Sequence, residues 1–257
     1  MAATFILPHI ISIFCKDLAM GVKTSDPMGA AIYDYYKTGK AATLIVRSSM
    51  FEDDEIPVPF LFREYDQMPE IEQIALKEAK GSILDVGAGS GCHSLALQKM
   101  GKKATAIEIS ELSLTVMKER GVDARCINFY DEDFTEKFDT VLMLMNGTGI
   151  AGNIDNMPVF LGRLKSLLNP GGSVLIDSSD LRYLYEDEDG NFEIDLADDY
   201  YGMVDYQMVY KDIEGEPFDW LYVDFGTLAY YAEEAGFDCE CLAEGEHYDY
   251  LAKLTLK

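Results

Sequence analysis

The feature that most constrains the fold of this chain is a glycine-rich turn that follows a short apolar run. Residues 82–86 read Ser-Ile-Leu-Asp-Val and predict a buried parallel strand, because apolar residues run through it without alternation. Gly87, Gly89 and Gly91 follow, and a helix is predicted from Gly91 to Met100. Glycine permits a tight turn and lets a ligand approach the backbone closely. The segment therefore predicts a ligand site at a strand-to-helix junction.

The alternation of strand and helix continues to residue 177. Ser110 is the predicted N-cap of a helix that ends at Arg120, and apolar residues at spacings of three and four predict a helix from Ile150 to Leu168. Alternating strands and helices with short turns predict an α/β fold with a parallel sheet and helices on both faces. Further strands are predicted at 104–109, 124–128, 138–145 and 173–176.

Two segments outside this alternation are predicted additions to the core. Residues 21–80 are predicted to form an N-terminal helical and aromatic cap, with a helix at 69–78 and an otherwise irregular path. Residues 180–223 are acidic and tyrosine-rich, and they predict a β-rich insertion within a domain that spans 81–257. The last predicted elements are a helix and an antiparallel pair of strands, at 227–235, 237–242 and 248–256.

Residues 1–20 are interpreted as a non-native or disordered extension. The apolar run from Phe5 to Phe14 is too short to span a bilayer and lacks the positive start of a signal peptide, which is the alternative interpretation. No other segment reaches membrane-spanning length, so no membrane partner is expected. The five cysteines form an odd, scattered set, which indicates a reducing compartment and a cytoplasmic location.

A carboxylate stands at the end of the second predicted strand. Glu108 follows the glycine turn by about 20 residues, and an acid at this place accepts hydrogen bonds from both ribose hydroxyls of a nucleotide. Glycines alone also suit a turn without a ligand, but strand, turn, helix, strand and terminal acid in register predict a nucleotide site. Dinucleotide sites favour the spacing Gly-x-Gly-x-x-Gly. The spacing here is Gly-x-Gly-x-Gly, which disfavours a nicotinamide dehydrogenase.

The segment Ile-Leu-Asp-Val-Gly-Ala-Gly-Ser-Gly at 83–91, with its acid inside the strand, resembles the glycine motif of the class I S-adenosylmethionine-dependent methyltransferases. Asn-Pro-Gly-Gly at 169–172 is also typical of that family. The resemblance covers residues 81–177 and the C-terminal helix and strand pair. It implies a Rossmann-like sheet of seven mostly parallel strands with an antiparallel C-terminal hairpin strand. It also implies S-adenosyl-L-methionine as the cofactor.

The resemblance implies roles for the residues around the turn. Asp85 would organise the loop, Glu108 would hold the ribose hydroxyls, and Ile109 would line the adenine. The residues that would form the floor under the methionine portion and the ribose are Gly87, Ala88, Gly89 and Gly91.

Further contacts are implied at the ends of the third and fourth strands. Asn128 with Phe129 is favoured at the adenine, with Asp131 left as a possibility, and Asn146 would face the methionine portion. Arg63 lies upstream of the motif, where some small-molecule members use an arginine for the methionine carboxylate; a surface arginine is the alternative.

The catalytic residues remain unknown at the level of the sequence. Methyl transfer mainly requires in-line positioning and exclusion of water, and a base only where the nucleophile keeps its proton. His247 is a candidate base, with an ordinary turn histidine as the alternative. No metal is expected. Cys239 and Cys241 lack the further ligands of a zinc site, which takes about four, and are interpreted as buried strand positions.

The charge of the chain bears on its partners. With 46 acidic and 21 basic residues the net charge is −25, which opposes binding to a phosphate backbone. The sequence Met-Asn-Gly-Thr-Gly at 145–149 also lacks the Asp/Asn-Pro-Pro-aromatic motif of enzymes that methylate base amino groups. A small-molecule acceptor and no nucleic-acid partner are therefore expected.

These features predict a methyltransferase that acts on an oxygen or nitrogen of a small molecule. A protein methyltransferase, or a non-catalytic nucleotide-binding module that serves interactions, is the alternative. The intact glycine motif with Glu108 disfavours a degenerate module. The identity of the acceptor and the oligomeric state do not follow from the sequence.

Overall fold

The computed structural model describes residues 25–185, 199–245 and 248–257. The predicted extension at 1–20, the acidic stretch at 186–198 and His247 lie outside the described residues. The helices are α1 (Pro27–Thr38), α2 (Glu70–Glu78), α3 (Cys92–Lys99), α4 (Glu111–Glu119), α5 (Met157–Ser166) and α6 (Phe225–Glu234). The strands are β1 (Leu44–Arg47), β2 (Asp54–Ile56), β3 (Ser82–Val86), β4 (Lys103–Glu108), β5 (Ala124–Cys126), β6 (Phe138–Met143), β7 (Leu168–Ser179), β8 (Met203–Tyr210), β9 (Ile213–Glu214), β10 (Phe218–Leu221), β11 (Phe237–Glu244) and β12 (Asp249–Leu256).

Seven described strands form the main sheet, in the order β11-β12-β7-β6-β3-β4-β5. The pairs β7–β6, β6–β3, β3–β4 and β4–β5 are parallel, and β12 is antiparallel to both β7 and β11. The predicted Rossmann-like sheet with an antiparallel C-terminal strand is therefore confirmed. The carboxyl ends of β3, β4, β6 and β7 share one edge, where ligands of open α/β sheets bind.

Helices cover both faces of this sheet, which explains why its strands are apolar without alternation. Ile83 and Leu84 are adjacent in β3 and point to opposite faces, yet both are buried. The Ile83 side packs with α2 and α3, and the Leu84 side packs with α5 and α6. The core therefore fixes β3, and with it the glycine turn that follows.

A second sheet joins the two segments that flank the core in the sequence. Its order is β10-β8-β1-β2, and β9 pairs with β8. The prediction of an irregular path for 21–68 is wrong in part, because α1, β1 and β2 lie there. The helix signal of α1 is visible in hindsight: Asp26 caps its N-terminus, Pro27 stands in its first turn, and left-handed Gly39 ends it.

The predicted helix from Ile150 to Leu168 is also wrong in its bounds. Two 3-10 turns, at 147–151 and 154–156, precede α5, which begins at Met157 with Pro158 in its first turn. Gly152 between them has a φ of 76°, which interrupts the helix. The Asn-Pro-Gly-Gly segment lies within β7, and α5 ends before it, at Ser166.

The second sheet and α1 pack at the carboxyl edge of the main sheet. At one end, Leu44 and Tyr210 form a buried cluster with Ala31 of α1. At the other, Trp220 of β10 packs so tightly on Gly149 that an added Cβ would lie 1.9 Å from its ring. Both additions thus contact the loops that follow the parallel strands. Within the described part of the chain, no helix is long and apolar enough to cross a membrane.

Candidate functional site

The three glycines of the turn have left-handed backbones, with φ of 67° at Gly87, 54° at Gly89 and 82° at Gly91. Side chains rarely adopt this conformation, so glycine is required there. A Cβ at Gly87 or Gly89 would meet one atom within 4 Å, Ile150 Cδ1 at 3.8 Å and Ile32 Cδ1 at 3.9 Å. A Cβ at Gly91 would instead crowd the core behind α3, only 3.0 Å from a Met117 carbon. Gly87 and Gly89 therefore leave open space above the turn, whereas Gly91 allows helix packing.

Asp85 lies on the α3 side of the sheet and is buried. Its Oδ2 accepts a 2.6 Å hydrogen bond from Ser94 Oγ. Burial raises the pKa of Asp85, against the opposing effects of His93 and Ser94. The acid thus ties the end of β3 to α3 and supports the turn from below.

Glu108 connects the end of β4 to the glycine turn. Its Oε2 accepts from Gly89 N at 2.9 Å, and its Oε1 accepts from Ile109 N at 2.7 Å and Ser110 N at 3.0 Å. Burial raises its pKa, and these backbone donors oppose that rise. A carboxylate offers about four acceptor positions. At least one therefore remains for a ligand hydroxyl.

The residues predicted at the adenine differ in their exposure. Ile109 is 61% exposed, which is unusual for isoleucine and leaves an apolar surface beside Glu108. Asn128 Oδ1 accepts from Tyr130 N at 2.8 Å and forms a local turn. Phe129 is buried between Tyr130 and Phe160, so its side chain belongs to the core and its backbone alone remains for a ligand. Asp131 is exposed.

The turn after β6 is strained. Met145 and Asn146 are consecutive non-glycine residues with φ of 68° and 59°, a conformation that costs of order 1–3 kcal/mol each. Asp177 holds it: Oδ2 accepts from Met145 N at 3.1 Å and Oδ1 accepts from Gly147 N at 3.2 Å. Asn146 Oδ1 accepts from Ser179 Oγ at 3.0 Å. The side-chain nitrogen of Asn146 donates a hydrogen bond to none of the described residues.

Sequence reasoning assigned no role to Asp177, because the atoms it binds lie about 30 residues earlier, in the turn after β6. The side chain is buried beneath the turn. Burial raises its pKa to about 7, and the nearby Glu72 adds to this rise while the backbone donors oppose it. In the sequence, the one signal that could have indicated a role for Asp177 was its position as an acid at the end of a predicted buried strand.

Arg63 is buried rather than on the surface, so the surface alternative is wrong. Its Nε and Nη2 donate to both oxygens of Glu72, at 3.1 and 2.6 Å, and Nη1 donates to Phe60 O. His93 Nε2 lies 2.9 Å from Glu72 Oε2. Burial favours a higher pKa for Glu72, but His93 and Arg63 outweigh it and lower the pKa. This network fills the space between α2 and α3 below the turn.

Helix α1 covers the glycine turn from above. It belongs to the segment predicted as an N-terminal cap, although no helix was predicted at 27–38. Asp26 caps α1 by accepting from Gly29 N at 2.8 Å, and its second oxygen accepts from Ser110 Oγ at 2.6 Å. Ser110 directly follows Ile109 and Glu108 in the chain. The start of α1 is therefore attached to the end of β4, and Ile32 faces Gly89.

A family model of a methyltransferase domain matches residues 60–242, which is most of the chain. The chain belongs to the class I S-adenosylmethionine-dependent methyltransferases. A solved S-adenosylmethionine-dependent methyltransferase from Bacteroides fragilis, in complex with S-adenosyl-L-homocysteine, is similar at 60% identity and a TM-score of 0.85, over 90% of this chain and 95% of that chain. The CcbJ methyltransferase from Streptomyces caelestis shares the fold, at 16% identity and a TM-score of 0.57, over 75% of this chain and 98% of that chain.

Two curated methyltransferases match shorter segments. The cypemycin N-terminal methyltransferase of a Streptomyces species is 31% identical over 103 residues, which are 38% of this chain and 42% of that protein. The ubiquinone biosynthesis O-methyltransferase of Rhodopseudomonas palustris is 26% identical over 100 residues, which are 37% of this chain and 38% of that protein. The chain thus spans about two fifths of the length of these relatives.

The residues of this methyltransferase fit S-adenosylmethionine, the cofactor of its family. Open space above Gly87 and Gly89 suits the approach of a ligand to the backbone. Glu108 retains acceptor capacity, and the exposed side chain of Ile109 suits an apolar base. Within the described residues, no group of three or more His, Cys, Asp or Glu side chains is arranged to hold a metal ion. Cys239 and Cys241 both lie on β11.

Proposed function

We propose that this methyltransferase transfers a methyl group from S-adenosylmethionine to a nitrogen or oxygen of a small molecule. The observation that carries the proposal is the left-handed glycine turn beside the Glu108 carboxylate, bordered by the side chains of Ile150 and of Ile32 in α1. The similarity to the Bacteroides fragilis enzyme adds support, since that protein holds the demethylated cofactor and matches 90% of this chain.

The cofactor contacts that we propose follow from this geometry. Gly87, Ala88, Gly89 and Gly91 form the floor, with Asp85 supporting them through Ser94. Glu108 accepts from the ribose, and Ile109 covers one face of the adenine.

The remaining contacts involve three loops at the same edge. Asn128 and the backbone of Phe129 border the adenine. The side-chain nitrogen of Asn146 donates a hydrogen bond to the methionine portion. Arg63 is the proposed partner of the methionine carboxylate. Glu72 competes for the same guanidinium, so this contact requires Arg63 to share its hydrogen bonds.

The protein's part in the reaction is positioning and exclusion of water. When bound, S-adenosylmethionine supplies a methyl group that is already activated on a sulfonium. The chain then has to hold the acceptor in line and keep water out. We propose that the second sheet does this, because Trp220 and α1 bring it against the loops of the carboxyl edge. The names of the curated relatives include N-terminal and O-methylation, so they leave the nucleophile open.

Calorimetric titration with S-adenosylmethionine and S-adenosylhomocysteine tests the cofactor. Both should bind at one site, and NAD should not. Saturating ligand should also raise the melting temperature, because a ligand that binds only the folded state stabilises it. A thermal shift with NAD and none with either adenosyl compound would overturn the proposal. A methyl-acceptor screen of metabolite extracts, followed by mass spectrometry, then separates a small molecule from a protein acceptor.

A further inference from the structure

One face of the second sheet is lined with aromatic side chains. Directly paired residues share a face, and Tyr206 pairs with Phe218 while Val204 pairs with Trp220. Tyr222 follows Trp220 by two residues and continues the same face. The rings of Tyr206, Phe218 and Trp220 contact one another edge to face in sequence, and the hydroxyls of Tyr206 and Tyr222 are 3.0 Å apart.

This face lies over the cofactor loops. Trp220 packs on Gly149, in the turn whose Ile150 lies next to Gly87. At the other end of the same face, Tyr210 packs on α1, whose Ile32 lies next to Gly89. The aromatic surface therefore reaches both sides of the glycine turn, near which an acceptor must approach.

The electrostatic environment of this face is negative. Asp54 pairs with Val46, which pairs with Met208, so its carboxylate lies on the same face. Burial raises the pKa of Tyr206 and of Tyr222, and the charge of Asp54 raises both further. Arg47 is on the opposite face, with Asp53 and Glu214. Lys211, which directly follows β8, lies over the ring of Tyr210 at the α1 end of this face and pairs there with Asp34. The end formed by Tyr206, Phe218 and Trp220 has no lysine or arginine in the described strands, and aromatic faces attract an ammonium group.

We propose that this face is the acceptor side of the methyl-transfer site and that the acceptor is a small-molecule amine; this inference rests on the proposed function. The neutral amine nitrogen attacks with its lone pair. The bond from nitrogen to the methyl carbon forms as the carbon–sulfur bond breaks, and sulfur keeps that electron pair. The positive charge thus passes from sulfur to nitrogen, and the surplus N–H proton leaves to solvent. Rings and a carboxylate placed beside the nitrogen stabilise the charge that develops there.

A hydroxyl acceptor fits this face less well. A hydroxyl keeps its proton at neutral pH and needs a base. Tyr206 and Tyr222 bond to each other, and their raised pKa values make them poor bases at that pH. The one histidine of the described residues, His93, is engaged with Glu72 below the glycine turn. An amine that is bound as an ammonium must also lose one proton before it attacks, but an ammonium is far more acidic than a hydroxyl and gives that proton to solvent without a base from the protein.

The test uses the full chain saturated with S-adenosylhomocysteine and two probes of the same shape. Choline carries a quaternary ammonium, and 3,3-dimethylbutan-1-ol is its neutral isostere. Trp220 is the only tryptophan of the chain and lies on this face, so its fluorescence reports binding. Choline should bind at least about tenfold more tightly than the alcohol, as a desolvated cation–π contact of about 2 kcal/mol implies. Equal binding of the two probes, or no binding of choline, overturns the inference.

Variants show whether the binding occurs at this face. Asp54→Asn and Tyr206→Phe should each lower the affinity for choline by about threefold or more, measured by calorimetry. Asp53→Asn removes the same charge from the opposite face and should leave that affinity unchanged. Asp54 is exposed, so its variant is expected to fold, and its melting temperature checks this. If Asp53→Asn weakens choline as much as Asp54→Asn does, the site is misplaced.

The outcomes also separate this inference from the proposed function. If S-adenosylhomocysteine binds but choline does not, the methyltransferase assignment stands and the amine class fails. If neither adenosyl compound binds, the proposed function itself fails. A turnover assay completes the test. It measures the release of S-adenosylhomocysteine with amine and alcohol acceptors of the same carbon skeleton, such as phenethylamine and 2-phenylethanol. Release should occur with the amines. Release with the alcohols alone would overturn the inference.

Discussion

At the scale of single residues, Glu108 has a structural role in addition to the cofactor contact proposed for it. Glu108 receives three backbone donors and so fixes the relative positions of β4 and the glycine turn before any ligand binds. Its role as a terminal acid was predictable from spacing. Its hydrogen bond from Gly89 N was not, because that contact depends on how the glycine turn folds back toward Glu108.

Replacing Glu108 by alanine should weaken S-adenosylmethionine binding. The loss of hydrogen bonds to a charged acceptor costs about 1.5–3 kcal/mol, or about 10- to 150-fold in affinity, and the loosened turn adds to it. Calorimetric titration measures this. Glu136→Ala serves as the control, since Glu136 is an exposed acid paired with Arg125 away from the carboxyl edge. Wild-type affinity in Glu108→Ala would mean that the ribose lies elsewhere.

Gly89→Ala and Gly101→Ala form a matched pair. Both glycines are left-handed, and in both cases an added Cβ meets no atom within 3.8 Å. Each variant should therefore lose about 1–2 kcal/mol of stability from the backbone alone. Only Gly89→Ala should also reduce S-adenosylmethionine affinity, because its methyl group enters the space proposed for the cofactor. Urea titration and calorimetry measure the two effects, and equal affinities in the two variants would contradict the assignment.

Asp177 should make stability depend on pH. Its pKa is raised to about 7 by burial, so the folded state binds the proton more tightly than the unfolded state does. The stability from this group is therefore fully present at low pH and is lost as the pH rises from about 4 to about 7, with a slope of up to about 1.4 kcal/mol per pH unit.

The Asp177→Asn variant isolates this effect, because other acids titrate in the same range. The asparagine has nearly the same shape and no titratable proton. Urea midpoints at pH 5 and pH 7.5 should show that wild type gains more stability at the lower pH than the variant does. Parallel pH profiles for the two proteins would show that Asp177 titrates normally.

At the scale of elements, the buried parallel core was predictable, whereas α1, β1 and β2 of its cover were not. The apolar run Ser82–Val86 gave β3 with its correct bounds, and Ser110 caps α4 as expected. Such signals are local to a few residues. The strands β1 and β2 are short and half exposed. They pair with each other, and β1 pairs with β8 from the far side of the core. Pairing at that separation leaves no local pattern, so 21–68 was predicted as irregular.

Helix α1 offers a test of how much the cover contributes to binding. Asp26→Ala removes both the N-cap and the contact with Ser110, and should cost about 0.5–2 kcal/mol of stability. It should also weaken S-adenosylmethionine binding, because α1 carries Ile32 over Gly89. Asp224→Ala removes the cap of α6 and should destabilise the protein without affecting the cofactor. Loss of affinity in both variants would point to general instability instead.

At the scale of the whole molecule, charge limits the partners. The net charge is −25, and the acceptor face proposed here carries a carboxylate without a cation in its described strands. A duplex requires several lysine or arginine contacts to phosphates. We predict no detectable binding to transfer RNA or duplex DNA in an anisotropy titration at about 0.15 M salt. Tight, salt-sensitive binding would move the acceptor from a small molecule to a nucleic acid.

The second sheet also has a consequence for the order of folding. β1 lies in its interior, between β2 and β8, although the strands on either side come from opposite flanks of the core. Ala42 donates to the hydroxyl of Tyr210, which is 168 residues later in the chain. Closing so long a loop is slow, and it must wait until the ribosome has released the second flank. During synthesis β1 therefore has no β8 to pair with until the strands β3–β7 of the core have been made, and the second sheet is completed late in the assembly of the described fold.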